Sequence, residues 1–355
     1  MTHSPEEARA LHDQVPVLDL HADTPLLMRR GYDFLSRHRP FVPGGALFGH
    51  VDLPRMRESG MTAQMFGLVT LPYLQRGLMK EAEKQIACVE EAVDRSAGAL
   101  RMVANAEELR EAHARGQKAV LLSLEGIQAV DRPQDRPGHV DVLEALSTLC
   151  HRGVRSVGLV HFTRNSAATP GLASGDATTS LTPLGFRIIE ALEQWGCLVD
   201  LAHLNRRGFL DAARHMKSPP IVSHTGLLAF RDLKRNIDNE QIRAVADKGG
   251  VVGIMYSRQF LGSADMERVV EEFKHLLNVG GEDALALGSD FDGAVIPPRG
   301  LDDICALPRL TAALWNALGE RATRKLLGEN FLRVLQSTPL RVGRWAGAQA
   351  SAAAP

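Results

Sequence analysis

The sequence contains little cysteine, and its four cysteines are far apart, at Cys88, Cys150, Cys197 and Cys305. They form neither a C-x-x-C pair nor a short, dense framework. This spacing argues against a cysteine zinc site and against a disulfide scaffold. Reduced thiols in a cytoplasmic protein are the simpler interpretation.

The chain also lacks a long apolar run and an excess of basic charge. No run reaches the roughly 18 apolar residues that cross a bilayer, and the N-terminal MTHSPEEARALHDQ has no apolar core typical of an export signal. We therefore expect no export signal and no membrane anchor. The formal net charge is −1 and Lys and Arg form no clustered stripe, so nucleic acid is a poor candidate partner.

What the 355 residues do contain is 45% hydrophobic and 23% charged side chains, a balance typical of globular proteins with a full core. This length fits one α/β barrel of about 250 residues with insertions. We predict a single domain over residues 1–340. The small-residue segment 341–355 is predicted to be a flexible tail.

Short apolar runs alternate with longer segments of helical periodicity, which is the pattern of repeated βα units. The predicted strands are 15–20, 62–68, 118–124, 156–160, 198–201, 220–223, 251–255 and 284–288. The clearest predicted helices are 79–97, 140–152, 183–195, 239–248 and 266–279. Eight units predict a parallel sheet closed into a (β/α)8, or TIM, barrel. Residues 29–51 are too long for a simple connection, which is typical of a loop that covers a site.

Metal-binding side chains occur where the predicted strands end, and barrels place their active sites at that end. His21 and Asp23 follow the first strand, and their i, i+2 spacing puts both side chains on one face. Glu125, His203 and His224 follow the third, fifth and sixth strands. The sequence therefore brings five nitrogen and oxygen ligands from four strands to one end of the barrel.

Five such ligands exceed the needs of one catalytic zinc ion, which takes three protein ligands and a water. Two metal ions fit better, with His21 and Asp23 on the first, His203 and His224 on the second, and Glu125 bridging them. Two divalent ions bring four positive charges, and two carboxylates with a bridging hydroxide cancel three. The centre would keep the Lewis acidity that polarises a carbonyl.

Asp290, His161 and Arg235 are the candidates for the remaining chemistry. Asp290 follows the eighth strand and could take a proton from the bridging water and pass it to a leaving nitrogen. His161, after the fourth strand, is interpreted as an electrophile that hydrogen-bonds the developing oxyanion. Arg235 lies in the loop after the sixth strand and favours a substrate with a free carboxylate, with an ordinary surface arginine as the alternative.

Three further residues are assigned lesser roles. Asp292 supports the site or shapes a turn, Asp19 fills the barrel below the site, and His50 is a candidate site contact near the long first loop. We expect the remaining histidines to be solvated, because they fall in predicted tails, loops or helices: His3, His12, His38, His113, His139, His151, His215 and His275.

Ordered motifs along nearly the whole chain resemble those of the membrane dipeptidase family, peptidase family M19, in the amidohydrolase superfamily. They are VLDLHADTP, LLSLEG, LVHFTRN, VDLAH, PIVSHT, LKRNI, LGSDFDG and GENFLRV. The resemblance implies a dipeptidase with two zinc ions per chain, often a homodimer, and tolerance of a D-residue at the C-terminal position of the substrate. The implied ligands are His21, Asp23, Glu125, His203 and His224. The resemblance also implies proton transfer by Asp290 and substrate contacts by His161 and Arg235.

Other functions stay open at this point. The same metal centre would serve hydrolysis of β-lactams, lactones or N-acyl amino acids, because only the substrate pocket differs. Arg235 favours dipeptides and β-lactams, which share a free carboxylate that simple lactones lack. A non-catalytic metal-binding protein is the other alternative, and Asp290 argues against it because binding alone needs no proton shuttle.

Overall fold

The computed structural model describes residues 2–39, 47–71, 77–131, 141–172 and 178–342. The strands of this part are β1 Leu18–Ala22, β2 Ala63–Val69, β3 Leu100–Met102, β4 Lys118–Glu125, β5 Val154–Gly158, β6 Leu198–Asp200, β7 Ile221–Thr225, β8 Val251–Ile254 and β9 Leu285–Leu287. Its α-helices are α1 Pro5–His12, α2 Thr24–Met28, α3 Leu53–Ser59, α4 Leu78–Arg95, α5 Ala106–Ala114, α6 Gln128–Asp131, α7 Val142–His151, α8 Pro183–Trp195, α9 Arg206–His215, α10 Asn239–Ala246, α11 Arg258–Leu261, α12 Met266–Gly280, α13 Leu307–Leu318, α14 Glu320–Arg324 and α15 Asn330–Ser337. Short 3-10 turns span Glu282–Ala284 and Ile304–Ala306, and a π-helical turn spans Lys325–Glu329.

Eight of the strands close into a parallel barrel. They follow the order β2-β1-β9-β8-β7-β6-β5-β4, and β4 pairs back to β2 along its whole length. Helices surround them, and every residue of β1, β2 and β7 is buried, as expected of strands covered on both faces. The predicted (β/α)8 TIM barrel is confirmed.

The strand β3 is an addition that the sequence pattern did not predict. It pairs with the first residues of β4, from Leu100 opposite Lys118 to Met102 opposite Val120. Further along the same edge of β4, pairing with β5 begins at Leu122. The short strand therefore occupies an edge that β5 starts too late to cover, and three residues are too few for a visible periodicity.

Several strands end later than their apolar patterns. The first predicted strand stopped at residue 20, but β1 continues to Ala22, which pairs with Phe66. Likewise β4 extends to Glu125 and β7 to Thr225. The polar side chains that end the hydrophobic run remain within the strands, because a strand's hydrogen-bond ladder does not depend on side-chain polarity.

The strand β5, which corresponds to the fourth predicted strand, ends earlier than its apolar pattern. It spans Val154–Gly158, two residues earlier than the predicted 156–160, although Leu159 and Val160 are also buried. The Leu159 carbonyl accepts a hydrogen bond from the Asn165 side chain at 2.8 Å, so a loop residue takes the place of a neighbouring strand. Buried apolar residues alone did not locate the end of this strand.

Parts of three predictions lie outside the described residues. The described portions of the predicted loop 29–51 exclude 40–46, and they contribute Tyr32, His38 and Phe48 to the wall of a large cleft. The predicted helix 140–152 is described from Val142 onward. Of the predicted tail 341–355, only the first two residues are described. Within the described chain, no helix combines the length and apolar character that a membrane span requires.

A buried carboxyl group on α12 predicts a measurable pH dependence of stability. Glu272 is 0% exposed, its Oε2 accepts a hydrogen bond from Leu227 N at 3.1 Å, and its Oε1 has no partner among the described residues. Burial raises the pKa of Glu272 from its ordinary 4.5 to about 8. The folded chain thus holds a proton that the unfolded chain releases. The contribution of Glu272 to the free energy of unfolding is fully present below pH 4.5 and is lost as the pH rises towards 8.

We expect Glu272→Gln to remove this loss. The stability difference between variant and wild type should shift in favour of the variant between pH 5 and pH 8, by up to about 1.4 kcal/mol per pH unit. Urea unfolding at both pH values, with equal metal content in both proteins, measures it. Glu267→Gln, an exposed position on the same helix, is the matched control. An equal difference at the two pH values would show that Glu272 is ionised in the folded chain.

Candidate metal centre

The five predicted ligands meet at the carboxyl end of the barrel, and all are buried. Glu125 Oε1 is central, at 2.9 Å from His203 Nε2 and 3.5 Å from His21 Nε2. His224 Nε2 lies 3.6 Å from the same oxygen and 2.9 Å from His203 Nε2. Asp23 Oδ1 lies 3.1 Å from His21 Nε2. Side chains that are far apart in sequence thus present their donor atoms to one small volume.

The first pair of ligands depends on close packing between β1 and β2. Asp23 is the residue before α2, where an aspartate commonly caps the helix, but its side chain makes no capping hydrogen bond. Its carboxylate instead faces His21. A Cβ at Gly67 of β2 would lie 2.6 Å from Asp23 Oδ1 and 2.8 Å from the His21 ring. Only glycine leaves room for both ligands at that point.

The second pair of ligands is oriented by neighbouring polar groups. His203 has φ +67°, an uncommon conformation for a residue other than glycine. Asp200, at the end of β6, stabilises this turn by accepting hydrogen bonds from Ala202 N and Ser223 N, both at 3.0 Å. The Ser223 hydroxyl lies 2.9 Å from His224 Nδ1. Such contacts orient the ring so that its Nε2 faces the cluster.

The electrostatics of the cluster fit bound cations. Burial raises the pKa of Asp23 and of Glu125, and burial lowers the pKa of His203 and of His224. Buried carboxylates need a positive charge to stay ionised, and neutral imidazole is the form that binds metals. Among the described residues, both ring nitrogens of His21, Asp23 Oδ1 and Glu125 Oε2 have no hydrogen-bond partner. Metal ions would satisfy His21 Nε2 and the two carboxylate oxygens.

The donor atoms fall into three groups, in each of which all atoms lie within 4.8 Å of one another. The groups are His21, Glu125 and His224; Glu125, His161 and His203; and His21, Asp23 and Asp290. Two of these differ from the pairing expected from the sequence, because His224 falls with His21 and His161 falls with His203. Glu125 is shared by the first two groups, consistent with the central position expected for it.

Asp290 lies beside the cluster in a tight turn after β9. Its φ is +61°, its backbone N–H donates to His21 O at 3.2 Å, and its Oδ1 lies 3.9 Å from His21 Nε2. A Cβ at Gly293 would clash with that oxygen, so a side chain there would displace the Asp290 carboxylate. Burial raises the pKa of Asp290 to about 8. The carboxyl group of Asp290 therefore lies next to the first pair of candidate ligands, His21 and Asp23.

His161 completes the ring of imidazoles around Glu125. Its Nε2 lies 3.6 Å from Glu125 Oε1, and its ring stands edge-on to that of His203 with centroids 4.6 Å apart. Burial lowers the pKa of His161 to about 3, so the ring is neutral. The Phe162 ring packs against it with centroids 3.7 Å apart. Phe162 is not predictable from the sequence as a site residue, since one aromatic residue in a loop carries no pattern.

Arg235 is buried, with 3% of its surface exposed, so the alternative of an ordinary surface arginine is wrong. Its Nε lies 3.2 Å from His203 Nδ1 and its Nη2 donates to His224 O at 2.8 Å. Unlike Arg155, whose guanidinium donates to three backbone carbonyls, it has one carbonyl partner and no carboxylate partner in the described chain. A buried cation that lines a cleft in this way is suited to an anionic ligand.

Asp292 and His50 form a supporting network. Asp292 Oδ1 accepts hydrogen bonds from Gly49 N and His50 N, both at 2.8 Å, and its Oδ2 accepts one from the Thr24 hydroxyl at 2.6 Å. His50 is fully buried, and its Nδ1 accepts a hydrogen bond from Asp292 N at 3.0 Å. Both residues therefore join the loop before α3 to the loop that carries Asp290.

Three other polar residues bear on the expected roles. Asp19 is buried and accepts hydrogen bonds from His21 N and Ser289 N, both at 3.0 Å. The expectation that His12 is solvated is wrong, because it is 1% exposed and bonded to the Ser59 carbonyl. His38 is also not free in solvent, since it is half-buried and lines the cleft. Helical position alone did not distinguish buried from exposed histidines.

The cluster lies in a cleft of about 1090 Å³ at the carboxyl end of the barrel. This volume is slightly above the range of about 300–1,000 Å³ common for small-molecule sites. Its walls combine the metal-ligand cluster and Arg235 with many apolar side chains. The cleft is therefore suited to a small substrate with one anionic group and apolar parts.

Comparisons with known proteins agree with this geometry. The model of the membrane dipeptidase family, peptidase family M19, matches residues 5–341. A protein from Klebsiella pneumoniae, described as an uncharacterized protein in the pqqA 5′ region, is 32% identical over 268 residues, which cover 72% of this chain and 94% of that protein.

Two solved structures are similar over almost their whole length. A metallo peptidase from Rhodobacter sphaeroides, liganded with a phosphinate mimic of the dipeptide L-Ala-D-Ala, has 28% identity and a TM-score of 0.78, covering 92% of this chain and 99% of that one. The dipeptidase AC, a metallo peptidase of family M19, has 28% identity and a TM-score of 0.77, covering 91% and 98%. The chain therefore belongs to the membrane dipeptidase family, peptidase family M19, and is a metal-dependent hydrolase that acts on dipeptides.

Proposed function

We propose that this enzyme is a zinc dipeptidase with two zinc ions per chain, held by His21, Asp23, Glu125, His203 and His224. The observation that carries the proposal is the position of Glu125. One of its oxygens lies within 3.6 Å of Nε2 atoms on both sides of the site, and the other has no partner among the described residues. A carboxylate with one oxygen among the histidines and the other oxygen without a partner is suited to bridging two ions. Histidine and carboxylate ligands suit zinc.

Bound zinc ions would supply Lewis acidity, which polarises the scissile carbonyl and lowers the pKa of a water molecule. The residues of the chain would carry out the other steps. Asp290 would accept the proton of the attacking water and pass it to the leaving nitrogen. The neutral ring of His161 would donate a hydrogen bond to the carbonyl oxygen as negative charge develops there.

Arg235 would set the length of the substrate. Its guanidinium pairs with a carboxylate beside the metal centre only where the substrate ends one residue past the scissile bond. A tripeptide would place a neutral peptide group at that position. Hydrolysis of dipeptides but not of the corresponding tripeptides, by the zinc-loaded enzyme, tests this role.

The same anchor supports tolerance of a D-residue at the C-terminal position. A guanidinium pair constrains the carboxylate more than the side chain on the neighbouring carbon. The structural neighbour from Rhodobacter sphaeroides binds a mimic of L-Ala-D-Ala. Comparable rates on L-Ala-L-Ala and L-Ala-D-Ala would support this part of the proposal, and no cleavage of the second would contradict it.

We expect about two zinc equivalents per chain, because one ion would leave donor atoms of the cluster idle. Elemental analysis, with activity followed as zinc is added back to chelated enzyme, measures this. Activity should rise until two equivalents are bound, and Glu125→Gln should reduce the content of both sites. Full activity with one tightly bound ion would rule out the binuclear site. Other first-row divalent ions should substitute, since such ligands select weakly among them.

A further inference from the structure

The mouth of the cleft keeps large apolar side chains in contact with solvent. In the described chain, the exposed large hydrophobic residues are Phe162 at 49%, Leu172 at 41%, Ile296 at 41% and Leu228 at 36%. The first three line the cleft, whereas Leu228 is not among its described lining residues. Exposed apolar groups gathered at a concave site mark a surface that a ligand covers.

Phe162 borders the candidate metal centre. Its ring packs against that of His161 and stands edge-on to that of His203, with centroids 5.7 Å apart. It therefore lies on the same side of the metal centre as His203, which contacts Arg235, and His161, the proposed oxyanion contact. An apolar substrate group beside these residues would contact the phenyl ring.

Leu172 belongs to a segment that is wedged next to Arg235. Gly171 N donates to His203 O at 2.7 Å, and a Cβ at Gly171 would lie 2.5 Å from Lys234 O. The chain before Leu172 thus passes between the turn of His203 and the residue preceding Arg235. This packing holds the exposed Leu172 near the arginine that binds the carboxylate.

We infer that Phe162 and Leu172 form an apolar subsite for the side chain of the C-terminal substrate residue. The inference rests on the proposed role of Arg235, because that residue places the C-terminal carboxylate next to the two side chains. A dipeptide that ends in a bulky apolar residue would cover both, removing their apolar surface from water. The preferred substrates are therefore dipeptides with leucine, phenylalanine or a similar residue at the C-terminus.

The charges of the cleft agree with this preference. The carboxylates that line its described walls are Asp23, Glu125, Asp290 and Asp292. The first three belong to the metal centre, and the oxygens of Asp292 accept hydrogen bonds from backbone N–H groups and the Thr24 hydroxyl. A basic C-terminal side chain would find no free carboxylate among the described residues, so lysine should not replace leucine.

The test compares Ala-Leu, Ala-Phe, Ala-Ala and Ala-Lys as substrates of the zinc-loaded enzyme. We expect kcat/KM for Ala-Leu to exceed that for Ala-Ala by about tenfold, the low end of what a hydrophobic contact gives in a pocket, because this subsite is half open. Ala-Lys should be no better than Ala-Ala. Phe162→Ala and Leu172→Ala should each reduce the ratio to about two- to threefold. Leu228→Ala, which removes an exposed leucine outside the cleft lining, should leave the ratio unchanged.

The ratio of kcat/KM on Ala-Leu to kcat/KM on Ala-Ala shows whether a side chain forms part of a subsite or has only a structural role. Phe162→Ala also removes a contact of His161, and a purely structural effect would lower the rates on Ala-Leu and Ala-Ala equally. Leu172→Ala gives an independent measurement, because Leu172 follows Gly171, which packs against Lys234, and is not part of the His161–Phe162 ring stack. Equal kcat/KM on Ala-Leu and Ala-Ala in the wild type, or unchanged ratios in both variants, would overturn the inference. Cleavage of dipeptide amides as fast as free dipeptides would instead contradict the proposed role of Arg235.

Discussion

Replacing Asp290 by asparagine should lower kcat by about 10²–10⁴-fold, the usual contribution of a positioned acid or base. Asparagine has nearly the same volume and tolerates the left-handed backbone of this position, where φ is +61°. It cannot accept the proton of the attacking water. The loss should appear in kcat, because the proton is transferred during the chemical step rather than in substrate binding.

Metal analysis of the same preparation decides how the result is interpreted. Two ions should remain in the Asp290→Asn variant, since Asp290 is proposed to act on protons. The exposed Asp302→Asn, in the chain that follows the same turn, is the control and should keep wild-type kcat. Loss of both ions from the Asp290 variant would show that this carboxylate is chiefly a ligand, a possibility raised by its place in a group with His21 and Asp23.

Replacing Arg235 by methionine should reduce kcat/KM on dipeptides by at least about 30-fold. Truncating one partner of a buried, hydrogen-bonded ion pair costs about 2–5 kcal/mol, and about 2 kcal/mol already corresponds to that factor. Methionine retains an unbranched side chain but cannot pair with a carboxylate. Arg231→Met, at an exposed position of the same loop, is the matched control and should retain activity.

Amidated substrates extend this test. The wild type should cleave free dipeptides much faster than their C-terminal amides, because only the free acid offers a charge to Arg235. The Arg235→Met variant should distinguish the two far less well, with unchanged metal content. If the wild type cleaves amides as fast as acids, the anchor role is wrong and a broader amidohydrolase reaction gains support.

The barrel and the ligand cluster followed from local patterns in the sequence. An apolar run followed by His-x-Asp, Glu or His predicts a strand whose end carries a metal ligand, because alternate strand residues share a face. The structure brings His21, Asp23, Glu125, His203 and His224 together, as this pattern required. Their assignment as ligands remains a prediction, as do the roles of Asp290, His161 and Arg235.

The burial of individual polar residues could not be predicted in the same way. His12 is expected from the sequence to be solvated, yet it lies on the same face of α1 as the buried Ala8 and Leu11 and packs between Ser59 and Thr311. Arg235 and Arg231 are four residues apart in one loop, and only Arg235 is buried. Burial of a loop residue depends on which distant segments meet it, and local periodicity contains no information about that.

The sequence by itself determined the class of fold, the number of barrel strands and the kinds of side chain at their ends, because each is encoded within a few consecutive residues. Only the tertiary structure decided which donor atoms lie together around Glu125 and which arginine enters the cleft. It also decided that Phe162 and Leu172 line the same cleft as Arg235. These arrangements depend on closure of the barrel and on loop packing, which bring residues such as His21, Glu125 and His224 from distant parts of the chain within a few ångströms.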